Sequence, residues 1–293
     1  MNIKKSAALA AAGWLLLLSA CIRPTYDMTA PVLATAEPTP AAQSSAPDPE
    51  VDTALELRLE QFLDGRDAEW DVWAEPLDHG APAHAQRNVP EDGRMVSASL
   101  IKLFIMGAVY AEIEAGALAH DAVYPELRQM ITVSDNDAAN RLIRLLGGGD
   151  AAAGMAAVNA FAASIDCPDT RLNRLMLADN GLENDTSAAD CAQILRLIYR
   201  GACVSETWSA EMLELLQTQT VNNRIPQQLP PETAVAHKTG DLPRLCSADV
   251  GIVFTPRGDY LLCVICNHSS EDAQTAEDIA ALSRLVYDYY ADT

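Results

Sequence analysis

The sequence has few basic residues and none of the common signals for binding a metal or a phosphate. Of its 293 residues, 20 are Lys or Arg and 41 are Asp or Glu, so the formal net charge is -21. Nucleic acids and anionic lipid headgroups are bound mainly through basic side chains, and this balance therefore argues against a nucleic-acid partner. No His/Cys cluster has metal-ligand spacing and no glycine-rich phosphate loop occurs, so we expect neither a metal nor an organic cofactor.

The first 20 residues predict an export signal. Lys4 and Lys5 precede an apolar stretch, residues 7–18, that is too short to span a membrane comfortably. Residues 18–21 read Leu-Ser-Ala-Cys, which resembles the lipobox of bacterial lipoproteins. We therefore expect a lipid on Cys21 to anchor the exported protein to the outer face of the cytoplasmic membrane, or to another membrane that faces the periplasm.

Residues 21–50 are rich in Pro, Ala, Ser and Thr and have no hydrophobic periodicity, which is typical of a disordered tether. Residues 51–293 would form the folded domain, and nothing in them points to an oligomer. Six cysteines remain after Cys21: Cys167, Cys191, Cys203, Cys246, Cys263 and Cys266. Export would permit disulfides, but the sequence does not give their connectivity. Cys263 and Cys266 lie inside an apolar run, which favours buried thiols over a redox pair.

The order of predicted elements indicates the architecture. The patterns predict helices over residues 55–63 and 273–290, strands over residues 70–73, 84–89, 233–238, 248–255 and 260–267, and mostly helices between residues 99 and 219. Strands at both ends of a helical middle predict an α/β (α+β) fold. In it, the two chain ends build one antiparallel sheet, and a helical subdomain of about residues 99–220 is inserted.

A serine and a lysine share one face of an apolar segment. Residues 97–110 contain one charged side chain, Lys102, and a helix that is apolar on nearly all sides is a buried one. Ser99 lies one turn before Lys102. Burial lowers the pKa of a lysine, so Lys102 could accept the proton of Ser99 and make it a nucleophile. The alternative is that Ser99 caps a helix.

Two further motifs follow in the chain. The first is Ser134-Asp135-Asn136 at the start of a predicted helix, where such residues also serve as caps. The second is Lys238-Thr239-Gly240 at the end of a predicted strand, where it could be a simple turn. With Ser99 and Lys102 these motifs have the order found in class A β-lactamases. Residues 51–293 resemble that family of penicillin-recognising serine hydrolases, also through residues 134–140, 171–174 and 236–240.

The resemblance implies a role for each motif. Ser99 would attack a β-lactam or a D-alanyl peptide and form an acyl-enzyme, with Lys102 as the base or its proton relay. Ser134 would pass a proton to the leaving nitrogen, and Asn136 would bind the amide of the acyl side chain, whereas Asp135 would be structural.

The resemblance also implies that the Lys238-Thr239-Gly240 motif binds the substrate. Lys238 would anchor the substrate carboxylate with Thr239 as a second donor. The backbone N–H of Asp241, which follows Gly240, would join that of Ser99 in an oxyanion hole. Two arginines, Arg224 and Arg244, are candidates for further carboxylate binding, although surface charge is the favoured interpretation of both.

One position departs from the family pattern. Class A enzymes have a Glu two residues after an Arg, and this Glu activates the water that hydrolyses the acyl-enzyme. Here Arg174 is followed at that spacing by Met176. Asn180 lies four residues after Met176, at the position where the family pattern has an Asn, and so fits the rest of the frame. A thioether cannot take a proton from water, so we expect slow deacylation. A shifted carboxylate could replace the Glu; the candidates are Asp179, Glu183 and Asp185.

The interval between Ser99 and Ser134 is also shorter than in typical class A enzymes, which predicts a wider cleft. Three functions remain open from the sequence. The first is a slow β-lactamase-like hydrolase. The second is a D-alanyl-D-alanine carboxypeptidase or related penicillin-binding cell-wall hydrolase. The third is a noncatalytic sensor or binding lipoprotein, which the retained motifs disfavour.

Overall fold

A computed structural model describes residues 51–292. The expected signal peptide, lipidated cysteine and tether lie outside these residues. The helices are α1 (Thr53–Leu63), α2 (Lys102–Glu114), α3 (His120–Thr132), α4 (Asn136–Leu146), α5 (Ala151–Ser164), α6 (Ala188–Tyr199), α7 (Glu206–Gln217) and α8 (Asp272–Asp292). The strands are β1 (Glu69–Pro76), β2 (Ala83–Arg87), β3 (Met95–Val96), β4 (Asp185–Thr186), β5 (Val235–Leu242), β6 (Cys246–Val253) and β7 (Tyr260–Asn267). None of the described helices has the length and apolar character needed to cross a membrane.

Both ends of the domain contribute to one sheet. Five strands lie in the order β2-β1-β7-β6-β5, and every neighbouring pair is antiparallel. The first two strands precede the helical middle and the other three follow it, so the predicted fold class is confirmed. β3 and β4 form a separate two-stranded ladder. As the last strand in this order, β5 has one edge that no other strand of the sheet covers.

The sheet separates two hydrophobic cores. Residues of α1 and α8 pack with one face of the sheet, and residues of α2, α4 and α6 pack with the other. β7 is buried along its whole length, as expected for a central strand covered on both faces. Cys263 belongs to one core and Cys266 to the other, because residues three apart on a strand point to opposite faces.

All six cysteines of the described residues are buried free thiols. Burial raises the pKa of the Cys263 thiol well above its usual value and that of Cys266 to about 12. The prediction of buried thiols at these two positions is therefore confirmed.

The structure differs from the sequence prediction at β5. We expected this strand to end near Lys238, but it continues to Leu242 and pairs with β6 along its length. The Lys-Thr-Gly motif therefore lies inside a strand and not at a turn. Turn residues were a misleading signal because Gly240 is here a point of close approach between β5 and the segment before α2.

In the helical middle, α2 is largely buried and is joined to α3 by a short turn. Ten of the 13 residues of α2 are buried, in agreement with its apolar sequence. α2 ends at Glu114 and α3 begins at His120, so only a short turn joins them. This is the shortened interval noted in the sequence; the wider cleft that it implies stays a prediction.

Candidate active site

Ser99 lies on a tight turn between the sheet and α2. The turn is a single 3₁₀ segment, Ala98–Ile101, that runs directly into α2. Ala98 has a φ of +43°, a conformation that is unfavourable for a residue with a side chain. Such strain persists where neighbouring contacts hold the backbone, and the N–H of Ser97 donates to the carbonyl of Asn184 at 2.8 Å. The turn therefore has a fixed position, and Ser99 lies on it partly exposed.

The amine of Lys102 is the centre of the site. Its side chain has no exposed surface, and its Nζ lies 3.0 Å from Ser99 Oγ and 3.1 Å from Ser134 Oγ. Nζ also lies 2.6 Å from the Ser134 carbonyl oxygen and 2.8 Å from Asn136 Oδ1. Burial lowers the pKa of Lys102 to about 7, against the opposing effect of the Asp135 carboxylate.

These contacts suit an uncharged amine. A neutral amine has two N–H donors and one lone pair. The carbonyl of Ser134 and the Oδ1 of Asn136 can only accept, so they occupy both donors. The lone pair of Lys102 can then accept the hydroxyl proton of Ser99 or that of Ser134, one at a time.

Ser134 connects Lys102 with a second buried lysine. Its Oγ lies 3.0 Å from Lys238 Nζ, so the hydroxyl stands between two amines. The φ of Ser134 is +58°, and the next residue, Asp135, caps α4 by accepting from the N–H of Ala138 at 2.6 Å. The cap fixes the start of α4 and with it the strained serine. This is the structural role that was expected of Asp135.

Lys238 is fully buried on β5 and donates to the Thr239 carbonyl at 2.8 Å. Burial, followed by the charge of Lys102, lowers the pKa of Lys238 to about 7. Two residues on, β5 passes very close to the serine turn: a Cβ on Gly240 would lie 3.2 Å from Leu100 Cγ. Gly240 thus permits the contact that sets the edge of β5 beside Ser99.

A small cavity of about 30 Å³ lies at this junction, which is room for one or two water molecules. Its walls come from the serine turn, the start of α4, the loop between α5 and β4, and the end of β5. The lining residues are Ala98, Ser99, Asn136, Arg174, Met176, Leu177, Glu183, Asn184, Asp241 and Leu242. The cavity therefore touches both residues whose N–H groups are expected to form the oxyanion hole.

The profile of the beta-lactamase enzyme family matches residues 126–290, more than half of the chain. This chain belongs to that family. Among curated relatives, β-lactamase FAR-1 of Nocardia farcinica is 30% identical over 154 residues, which cover 50% of this chain and 47% of that protein. The extended-spectrum β-lactamase PER-1 of Pseudomonas aeruginosa is 31% identical over 167 residues, 53% of this chain and 52% of that protein. The chain thus spans about half the length of the curated relatives it matches.

Solved structures agree on the fold over a larger part of the chain. PBP-A superimposes with a TM-score of 0.74 at 24% identity, over 84% of this chain and 99% of its own. The TLA-1 extended-spectrum β-lactamase gives 0.71 at 20% identity, over 82% and 99%. The resemblance to class A β-lactamases that the motifs indicated is confirmed at the level of family and fold.

Met176, where the sequence predicts a departure from the class A pattern, lies in the loop between α5 and β4. The side chain of Asn140 on α4 holds the loop there, accepting from the Met176 N–H at 2.8 Å and donating to its carbonyl at 3.1 Å. Met176 is 8% exposed, and its sulfur lies 4.0 Å from Asn184 Nδ2. Sequence reasoning did not assign Asn140 a role, although its position one turn after Asn136 put it on the site-facing side of the helix.

The candidate carboxylates near Met176 differ in position. Glu183 lines the cavity, but it is paired with the buried guanidinium of Arg174. Asp185 accepts from Asn173 Nδ2 at 2.8 Å, and burial raises its pKa. Asp179, the third candidate carboxylate, is exposed, as is Asn180. Of the three candidate bases, only Glu183 is in the cavity wall.

The favoured interpretation of Arg224 as surface charge is wrong. Arg224 is only 4% exposed, and it pairs with Asp241 and donates to Ser247 Oγ at 3.3 Å. Sequence reasoning missed this because burial of Arg224 depends on the β5–β6 ladder and not on its own neighbours in the chain. Arg244 is exposed after β5, where its N–H donates to the Asp272 carboxylate at 2.9 Å.

Proposed function

We propose that this protein is a serine hydrolase that β-lactams acylate on Ser99 and that releases the acyl group slowly. The observation that carries the proposal is the 3.0 Å approach of Ser99 Oγ to the fully buried amine of Lys102, whose pKa is lowered to about 7. A hydroxyl beside an amine that is largely neutral above that pH is an activated nucleophile.

The contacts support a short sequence of proton transfers. Lys102 takes the proton of Ser99 as the oxygen attacks the carbonyl carbon, and the N–H groups of Ser99 and Asp241 bind the developing oxyanion. Ser134 Oγ, which contacts both amines, then donates its proton to the leaving nitrogen and regains one from Lys102. Lys238 keeps Ser134 oriented and supplies positive charge beside the substrate.

Deacylation lacks an equivalent catalyst. The water that would attack the acyl-enzyme fits the small cavity beside Met176, and a thioether cannot accept its proton. The carboxylate of Glu183 shares the cavity but is held by Arg174. Loss of a general base reduces a rate by about 10²- to 10⁴-fold, so the acyl-enzyme should persist.

The second candidate is a D-alanyl-D-alanine carboxypeptidase or related penicillin-binding cell-wall hydrolase that uses the same serine. Met176 in the cavity wall favours it, because a long-lived penicillin adduct is compatible with peptide turnover in such an enzyme. A noncatalytic binding protein has no need of a nucleophile beside a buried base. We further propose that Cys21 anchors the domain to the membrane on its extracytoplasmic side and that the domain is a monomer there.

Intact mass separates these functions. The purified protein is incubated with penicillin G, its mass is followed with time, and turnover of a chromogenic cephalosporin and of a D-alanyl-D-alanine peptide is measured in parallel. We expect a covalent adduct that decays slowly and is absent in Ser99→Ala. A D-alanyl peptidase would cleave the peptide as well. Absence of any adduct would refute the proposed function.

A further inference from the structure

The guanidinium of Arg224 is already bound to a carboxylate of this chain. It pairs with Asp241, and its Nε donates to Ser247 Oγ at 3.3 Å. Asp241 and Ser247 are directly opposite each other on β5 and β6. Arg224 therefore bridges a cross-strand pair at the end of β5 that lies beside the cavity.

The segment that carries Arg224 is fixed on both sides. The N–H of Ile225 donates to Asp249 Oδ2 at 3.1 Å. The ring of His237 lies between Asp249 Oδ1, at 2.8 Å from Nδ1, and Asn222 Oδ1, at 3.0 Å from Nε2. All these contacts are buried or partly buried, so the guanidinium has a preset position and does not swing in from solvent.

Asp241 stands where a substrate carboxylate would be received. Side chains alternate along a strand, so Asp241 shares a face with Thr239, about 7 Å away along β5. The Asp241 side chain is 56% exposed, and the residue lines the cavity beside Ser99. The protein thus places its own negative charge on an arginine beside the edge that would bind an anionic substrate.

We infer that Asp241 is a specificity-determining residue that disfavours acyl donors with a free carboxylate beside the scissile amide. Its carboxylate occupies Arg224 and repels a second carboxylate, which leaves Lys238 as the cation for that group. Acyl donors with an amide, ester or cationic group at that position meet no such repulsion. This inference rests on the proposed function, because it specifies the substrate class of the same site.

Equilibrium binding tests the inference apart from the chemistry. Penicillin G and its methyl ester are titrated against the full chain carrying Ser99→Ala, with and without Asp241→Asn. Asn keeps the size and the backbone N–H of Asp241 and removes its charge. We expect the acid to bind about tenfold more tightly after the change and the ester to bind equally well, since only the acid is relieved of repulsion.

Three comparisons make the result decisive. Asp166→Asn, which makes the same change in net charge at an exposed residue of the helical subdomain, should leave both affinities unchanged. Adding Arg224→Gln to Asp241→Asn should abolish the gain. If that double variant does not fold, the gain in Asp241→Asn should instead shrink with rising salt. Equal effects of Asp241→Asn on the binding of acid and ester, or no effect on either, would overturn the inference. This outcome does not depend on whether the protein that keeps Ser99 forms an adduct.

Discussion

Met176→Glu puts a carboxylate where this protein has a thioether, and it should restore deacylation. Both side chains have three heavy atoms beyond Cβ in the longest path, so the new carboxylate would occupy the place of the sulfur and the terminal methyl. That place is in the wall of the 30 Å³ cavity that also touches Ser99. The Asn140 side chain bonds only to the backbone N–H and carbonyl of residue 176. These two hydrogen bonds do not involve the side chain of residue 176 and should survive the change.

The size of the effect follows from general-base catalysis. A carboxylate that takes the proton of the attacking water should accelerate hydrolysis of the acyl-enzyme by about 10²- to 10⁴-fold. Residue 176 is only 8% exposed, so the charge must be partly desolvated. Asn184 Nδ2, 4.0 Å from the present sulfur, and the Arg174 guanidinium in the same cavity wall can offset that cost. We expect a net loss of about 1–3 kcal/mol in the free energy of unfolding.

The assay follows the decay of the penicillin adduct by intact mass after excess ligand is removed. Met176→Gln is the matched control, because it has the shape and polarity of the glutamate without its basicity. The adduct should decay rapidly in Met176→Glu and slowly in Met176→Gln and the unchanged protein. Equal decay in both variants, with the fold and the acylation rate preserved, would refute the assignment of this cavity as the site of the deacylating water.

Three further results are expected. The acylation rate should rise with pH through about 7, because protonated Lys102 cannot accept the serine proton; a rate that is flat between about pH 6 and 8 would contradict this role. Gly240→Ala should slow acylation about tenfold without abolishing folding, since its Cβ would press on Leu100 at 3.2 Å; a time course of adduct formation measures it. Asn140→Ala should lower the free energy of unfolding by about 1–3 kcal/mol in urea titrations, because two hydrogen bonds to Met176 are lost.

Local sequence patterns predicted the elements that hold the candidate catalytic residues. The single lysine in an apolar run indicated a buried amine one turn from a serine, and Lys102 is fully buried 3.0 Å from Ser99 Oγ. The strands on both sides of a helical middle predicted the sheet, although not the extension of β5 to Leu242. These features follow from residues close together in the chain, where periodicity and helical spacing apply.

Contacts between distant segments could not be predicted in the same way. The positive φ of Ser134 has no simple sequence signal, because the residue is not a glycine. Arg224 looked like an ordinary exposed arginine until the β5–β6 ladder brought Asp241 and Ser247 to it. The pairing joins residues 17 and 23 positions apart, and only the register of two strands determines it.

Ser134 lies between Lys102 and Lys238, and the charges of these two lysines are coupled. Two amines contact one hydroxyl, and the charge of Lys102 helps to lower the pKa of Lys238, so full protonation of both is unfavourable. In the proposed mechanism, a proton that Lys102 took from Ser99 would therefore make the Lys102–Lys238 pair more ready to release a proton, and Ser134 would pass it toward the leaving nitrogen. The same coupling would weaken Lys238 as a cation for a bound carboxylate once Lys102 has taken the proton of Ser99. An acyl donor without that carboxylate would avoid this conflict, which is the preference that the pairing of Asp241 with Arg224 also implies.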